Sequence, residues 1–68
     1  MNIGEVFKKL RMTLFLEQKA FGDLLDLSRS GVSHIETGRK KPSLAVRKKM
    51  FELARKNKLK MTIEEFLI

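Results

Sequence analysis

The chain has 68 residues, no cysteine, and fifteen Lys and Arg against eight Asp and Glu, for a formal net charge of +7. A chain this short supports one domain spanning residues 1–68, buries only about 60% of its unfolded surface, and leaves no room for a catalytic or ligand-sensing domain beside another. Without cysteine there is no disulfide, thiolate zinc site or thiol nucleophile, and no apolar run approaches the roughly 18 residues a membrane span needs.

The opening Met1-Asn2-Ile3-Gly4-Glu5 does not read as a signal peptide. With one proline, Pro42, no repeats and no strand-like alternation, the chain places its apolar residues at helical spacing. In the first segment Ile3, Val6, Phe7, Leu10 and Leu14 share one face, and Asn2 with Glu5 has capping-box spacing, so a helix is predicted from Ile3 to Leu14. The second is short, Gln18 to Leu25, with Phe21, Leu24 and Leu25 as its apolar stripe and Glu17, a mediocre capper, at its N-cap. Asp26 then sits where the helix must stop, and Asp tolerates the left-handed conformation that such a turn requires.

The third helix opens at Ser28, a favoured N-cap, turns Val32 and Ile35 inward, and closes at Gly38 as a C′ residue. Gly31 lies inside it at a cost of up to about 1 kcal/mol against Ala. Either another backbone comes close there or the glycine is a tolerated defect. Arg39-Lys40-Lys41-Pro42 is a loop. A fourth helix runs from Ser43 to about Asn57, with Leu44, Val46, Met50, Leu53 and Ala54 on its apolar side. Thr62-Ile63-Glu64-Glu65 is a capping box for a short fifth helix. In the apolar Phe66-Leu67-Ile68, part completes the core and part is available to a second subunit.

Charge is unevenly distributed. Residues 1–38 balance five basic against five acidic residues, whereas 39–60 carry ten basic residues and only Glu52. Such a block suits a polyanion, nucleic acid or an anionic membrane surface; the plainer alternative is a solvated lysine-rich face. Two short helices joined by a tight turn, the second rich in small polar residues, form the helix-turn-helix pattern. That unit lays its second helix in the major groove and its first across the backbone. The first turn of the entering helix must therefore reach base edges, and here it carries Arg29, Ser30 and Gly31, followed by Ser33 and His34. No nucleophile–base pair, metal-ligand cluster or phosphate-cradling loop appears, so neither an enzyme nor a cofactor is expected.

The stretch Leu16-Glu17-Gln18 through Leu24-Leu25-Asp26-Leu27-Ser28-Arg29-Ser30-Gly31-Val32-Ser33-His34-Ile35-Glu36-Thr37-Gly38, continuing through Lys41-Pro42-Ser43-Leu44, resembles the Cro/CI-type (Xre family) helix-turn-helix of phage repressors. The resemblance implies an all-α, five-helix, lambda-repressor-like DNA-binding domain with its helix-turn-helix at about residues 18–37. It implies that Arg29, Ser30, Ser33 and His34 face bases, and that Gln18 binds a phosphate while bracing the recognition helix. Thr37, Arg39, Lys40 and Lys41 would touch phosphates, and Arg11 and Glu36 would form a buried ion pair. Glu17 stands where the family usually has a Ser or Thr cap, and Asp26 where it usually has a turn glycine. The implied function is a sequence-specific transcriptional regulator, a small Cro-like repressor that binds operator DNA as a homodimer and blocks polymerase. It would be a cytoplasmic, nucleoid-associated protein of a bacterium or phage, with no metal and no membrane contact. The alternative is a protein-interaction module on the same fold, an antirepressor or antitoxin that binds a partner repressor or a toxin.

Overall fold

The computed structural model describes residues 2–66, the side chain of Ile63 excepted. It contains four α-helices and no strand among the described residues: α1 Ile3–Thr13, α2 Gln18–Leu25, α3 Arg29–Glu36 and α4 Leu44–Lys56, followed by one 3₁₀ turn at Ile63–Phe66.

Local chemistry explains where the helices begin. Asn2 Oδ1 accepts from the Glu5 backbone N–H at 2.9 Å while its own Nδ2 donates to Glu5 Oε1 at 2.9 Å, a reciprocal box that opens α1. Ser28 Oγ accepts from Gly31 N–H at 3.0 Å to open α3, and Ser43 Oγ accepts from Val46 N–H at 3.2 Å to open α4. Glu17 makes no side-chain cap bond, so α2 starts without one. Asp26 ends α2 in the left-handed region at φ 57°, and Gly38 follows α3 at φ 81°.

One core gathers Ile3, Val6, Phe7 and Leu10 of α1, Phe21 and Leu25 of α2, Val32 and Ile35 of α3, Val46, Met50 and Ala54 of α4, and Phe66. The Phe7 and Phe21 rings meet edge to face with centroids 4.9 Å apart, and Phe51 meets Phe66 likewise at 5.8 Å. Each fully buried side chain of this size contributes about 1.5–3 kcal/mol.

Three expectations change. The fifth helix is a four-residue 3₁₀ turn, closed by the i→i+3 bond from Glu65 N–H to Thr62 O at 3.1 Å. Half of the expected box forms, Thr62 N–H donating to Glu65 Oε2 at 3.1 Å. One turn has too few hydrogen bonds to nucleate an α-helix by itself, and a short 3₁₀ piece is the tighter form in which such single turns occur; in it Phe66 packs against Phe51. Leu67 and Ile68, to which the expected helix and subunit contact extended, lie outside the described residues. Second, Leu24 and Leu44 are not core residues: they are 51% and 73% exposed. Third, the close backbone approach is not at Gly31, where an added Cβ would meet nothing nearer than Ser28 Oγ at 3.4 Å. It is at Gly22, where a Cβ would lie 2.5 Å from Leu27 O, and at Gly4, where it would lie 2.7 Å from Ile35 O. Gly22 lets the chain fold tightly back from α2 into α3; Gly4 lets α1 seat against the end of α3.

Candidate nucleic-acid interface

Packing Val32 and Ile35 into the core orients α3. At 100° per residue, Arg29, Ser30, Ser33, His34 and Thr37 then fall on its outer side. Arg29, Ser30, His34 and Thr37 are exposed and Ser33 is half-buried. A shallow cleft of about 240 Å³ is lined by Arg29, Ser30, Ser33 and His34 together with Gln18, the first residue of α2. A second depression is lined by Arg11, Glu17, Gln18, Lys19 and Arg29. Gln18 and Arg29 line both, so the two form a continuous polar surface across the starts of α2 and α3.

Beneath this surface lies a hydrogen-bonded hub. Arg11 Nε donates to Glu36 Oε2 at 2.6 Å and Arg11 Nη2 to Glu36 Oε1 at 3.1 Å. Their side chains are 15% and 5% exposed. The remaining guanidinium arm, Nη1, donates to Leu16 O at 2.9 Å, and Gln18 Nε2 donates to Glu36 Oε1 at 3.2 Å. One carboxylate at the end of α3 thus ties together α1, the α1–α2 loop and the start of α2. Satisfying the pair on every side is what makes its burial tolerable. No buried side-chain N or O among the described residues lacks a partner.

The structure does not bring Thr37, Arg39, Lys40 and Lys41 into the cleft. They lie at and beyond the other end of α3. Thr37 Oγ1 donates to Ser33 O at 3.0 Å, and the backbone N–H groups of Arg39 and Lys40 both donate to His34 O, at 2.9 and 3.2 Å. Lys40 and Lys41 are exposed and border a hollow shared with Asn2, Gly4, Ile35 and Gly38. The first group therefore runs along the outer face of α3, and the second lies at and beyond its C-terminal end.

At the turn between α2 and α3, Lys49 Nζ of α4 donates to Asp26 Oδ2 at 2.7 Å. The ammonium beside it holds the Asp26 carboxyl below its usual range. Sequence reasoning missed this contact and the roles of Gly4 and Gly22. Gly22 carried the relevant signal, a glycine in the interior of a short helix, which was read only at Gly31. Among the described residues no three His, Cys, Asp or Glu side chains assemble to hold a metal ion, and no helix is long and apolar enough to cross a membrane.

Compared with known proteins, the chain matches the helix-turn-helix domain family over residues 2–55, which takes in α1 to α3 and nearly all of α4. No curated protein and no solved structure matches it.

Proposed function

The chain belongs to the helix-turn-helix domain family, and from that premise we propose that it is a sequence-specific DNA-binding regulator that reads the major groove with α3. The observation that carries the reading is the single cleft shared by Gln18, Arg29, Ser30, Ser33 and His34. The groove is about 12 Å wide and admits one helix with its side chains. Arg29, at the first position of α3, has five donors and matches guanine O6 and N7 two-pronged, the commonest specific contact. Ser30, Ser33 and His34 offer shorter hydrogen-bonding groups to neighbouring edges. Gln18 uses one Nε2 hydrogen on Glu36 and keeps the other for a phosphate. Thr37, Arg39, Lys40 and Lys41 grip the backbone beyond the far end of α3. These contacts set register and affinity but not sequence.

In this reading the chain is a small repressor of the Cro/CI (Xre) type. It acts as a twofold dimer on half-sites about 34 Å apart and excludes polymerase by occupying the operator. Phe66, buried against Phe51, makes the 3₁₀ turn part of the same domain. Selection of bound duplexes from a random pool by the purified protein tests the proposal. Enrichment of one half-site, repeated as an inverted pair, is expected; recovery of unselected sequences overturns it.

A second reading rests on a different observation. Leu24 projects at the rim of a depression formed with Lys49, Glu52, Leu53 and Lys56, away from the α3 cleft. On that reading the chain docks a partner repressor or a toxin there, and the purified chain alone enriches no operator.

A further inference from the structure

We infer that Phe15 is a DNA-binding residue, its ring resting on the sugar–phosphate backbone beside the half-site; the inference rests on the DNA-binding reading above. Phe15 is the most exposed large hydrophobic side chain among the described residues. Its backbone is left-handed at φ 56°, and its ring is 95% exposed. The first is a conformation that bulky L-residues avoid and glycine adopts freely. The second leaves a large apolar surface in water. The helix end accounts for the first: Phe15 follows the C-cap Leu14 and closes α1 with the paired backbone bonds of a left-handed terminus. The exposed ring has no such role within the described residues, and a ligand surface beside it would cover it.

Placement points to what that is. Phe15 lies between Arg11 and Glu17-Gln18-Lys19, all of which line one depression with Arg29. Its Cα is at most about 11 Å from that of Gln18. The loop is stapled in place: Phe15 N–H donates to Met12 O at 3.0 Å, Leu16 N–H to Arg11 O at 3.2 Å, and Arg11 Nη1 to Leu16 O at 2.9 Å. Arg11 is joined through Glu36 to Gln18, so the base of the ring is held at a set distance from the residue assigned to a phosphate. Met12, 58% exposed, lies three residues back, and exposed Lys8, Lys9 and Lys19 lie on the adjoining helices. A small apolar step amid cations complements a surface that alternates anionic phosphates with the C–H faces of deoxyribose. Two side chains are far too little for a protein interface, which needs about 1,000 Å².

The test compares wild type, Phe15→Gly and Phe15→Trp on the duplex that wild type selects, over a range of salt, and again on that duplex trimmed to the base-read positions. Phe15→Gly is expected to melt at or above the wild-type temperature, because glycine removes the left-handed strain. On the long duplex it binds about three- to tenfold more weakly. Its slope of log affinity against log salt stays at the wild-type value, because the ring displaces no counterion. Phe15→Trp binds like wild type, and trimming abolishes the difference. Should Phe15→Gly fold poorly, Phe15→Asn, which also tolerates the left-handed region, serves in its place. Equal affinity of wild type and the glycine variant on the long duplex, a changed slope, or a deficit that survives trimming overturns the inference. If wild type binds no duplex at all, it is the DNA-binding reading itself that fails.

Discussion

Arg11 and Glu36, 25 residues apart in the chain, close a two-pronged ion pair at 2.6 and 3.1 Å. It fixes the C-terminal end of α3 to α1. Because Gln18 also bonds Glu36, the same carboxylate couples the stability of the bundle to the shape of the candidate interface.

Removing one partner leaves the other charged and nearly enclosed. Glu36→Ala is expected to destabilise the protein by about 3–5 kcal/mol, most of what a domain of this size possesses. The double variant Arg11→Met, Glu36→Leu loses less than either single charge deletion, because no unpaired charge remains. Urea denaturation of the double variant and the two single deletions checks the order; a double variant less stable than either single would contradict it.

Glycine substitutions in α2 and α3 should have opposite signs. Gly22→Ala forces a Cβ to within 2.5 Å of Leu27 O, and displacing the α2–α3 corner costs about 1–3 kcal/mol. Gly31→Ala finds room, its nearest neighbour being Ser28 Oγ at 3.4 Å, and gains up to about 1 kcal/mol of helix propensity. Thermal melts read both. A drop in the Gly31→Ala melting temperature would mean that α3 needs its glycine for folding.

Arg29→Ala and Lys40→Ala should separate reading from gripping. Loss of Arg29 relaxes selectivity at one base position, with about 1–3 kcal/mol of discrimination lost there. Loss of Lys40 weakens binding to all sequences alike and lowers the salt slope by about one phosphate contact. Site selection and salt titration of each variant provide the check. An unchanged Arg29→Ala selection profile removes that residue from direct readout.

Asp26 and Lys49 give the fold an acid-sensitive contact. The hydrogen bond and charge of Lys49 hold the folded-state pKa of Asp26 below the ordinary carboxyl value. A depressed carboxyl stabilises the folded state above its unfolded pKa and loses that contribution as pH falls through the folded one. The contribution is therefore intact above about pH 4 and fades below it. Lys49→Met removes it at neutral pH and flattens this part of the acid limb. Urea midpoints between pH 6 and pH 2 measure the difference; parallel acid limbs for the two proteins would show that the pair contributes nothing.

The helices were legible because their signals are local. Asn2, Ser28 and Ser43 cap, apolar residues recur every three or four positions, and Asp26 and Gly38 take left-handed conformations where helices stop. Each depends on a few adjacent residues, and the ends of α1 to α4 follow within about a residue of those expected. The shared outer face of Arg29, Ser30, Ser33 and His34 was legible for the same reason, since period and inward residues set the phase of α3. The pairing of Arg11 with Glu36 had no spacing signal and came only from family resemblance.

The sequence by itself determined helix type, helix ends and facing, all properties of segments shorter than about fifteen residues. Tertiary structure alone decided that Leu24 and Leu44 stay in water, that Gly4 and Gly22 rather than Gly31 admit a neighbouring backbone, that Phe15 stands exposed in a left-handed turn, and that the last element closes as a 3₁₀ turn around Phe66. The physical reason is that periodicity fixes which way a side chain points. How much of that face a neighbouring element covers, and how near its backbone comes, depends on two segments meeting, and neither records that distance alone.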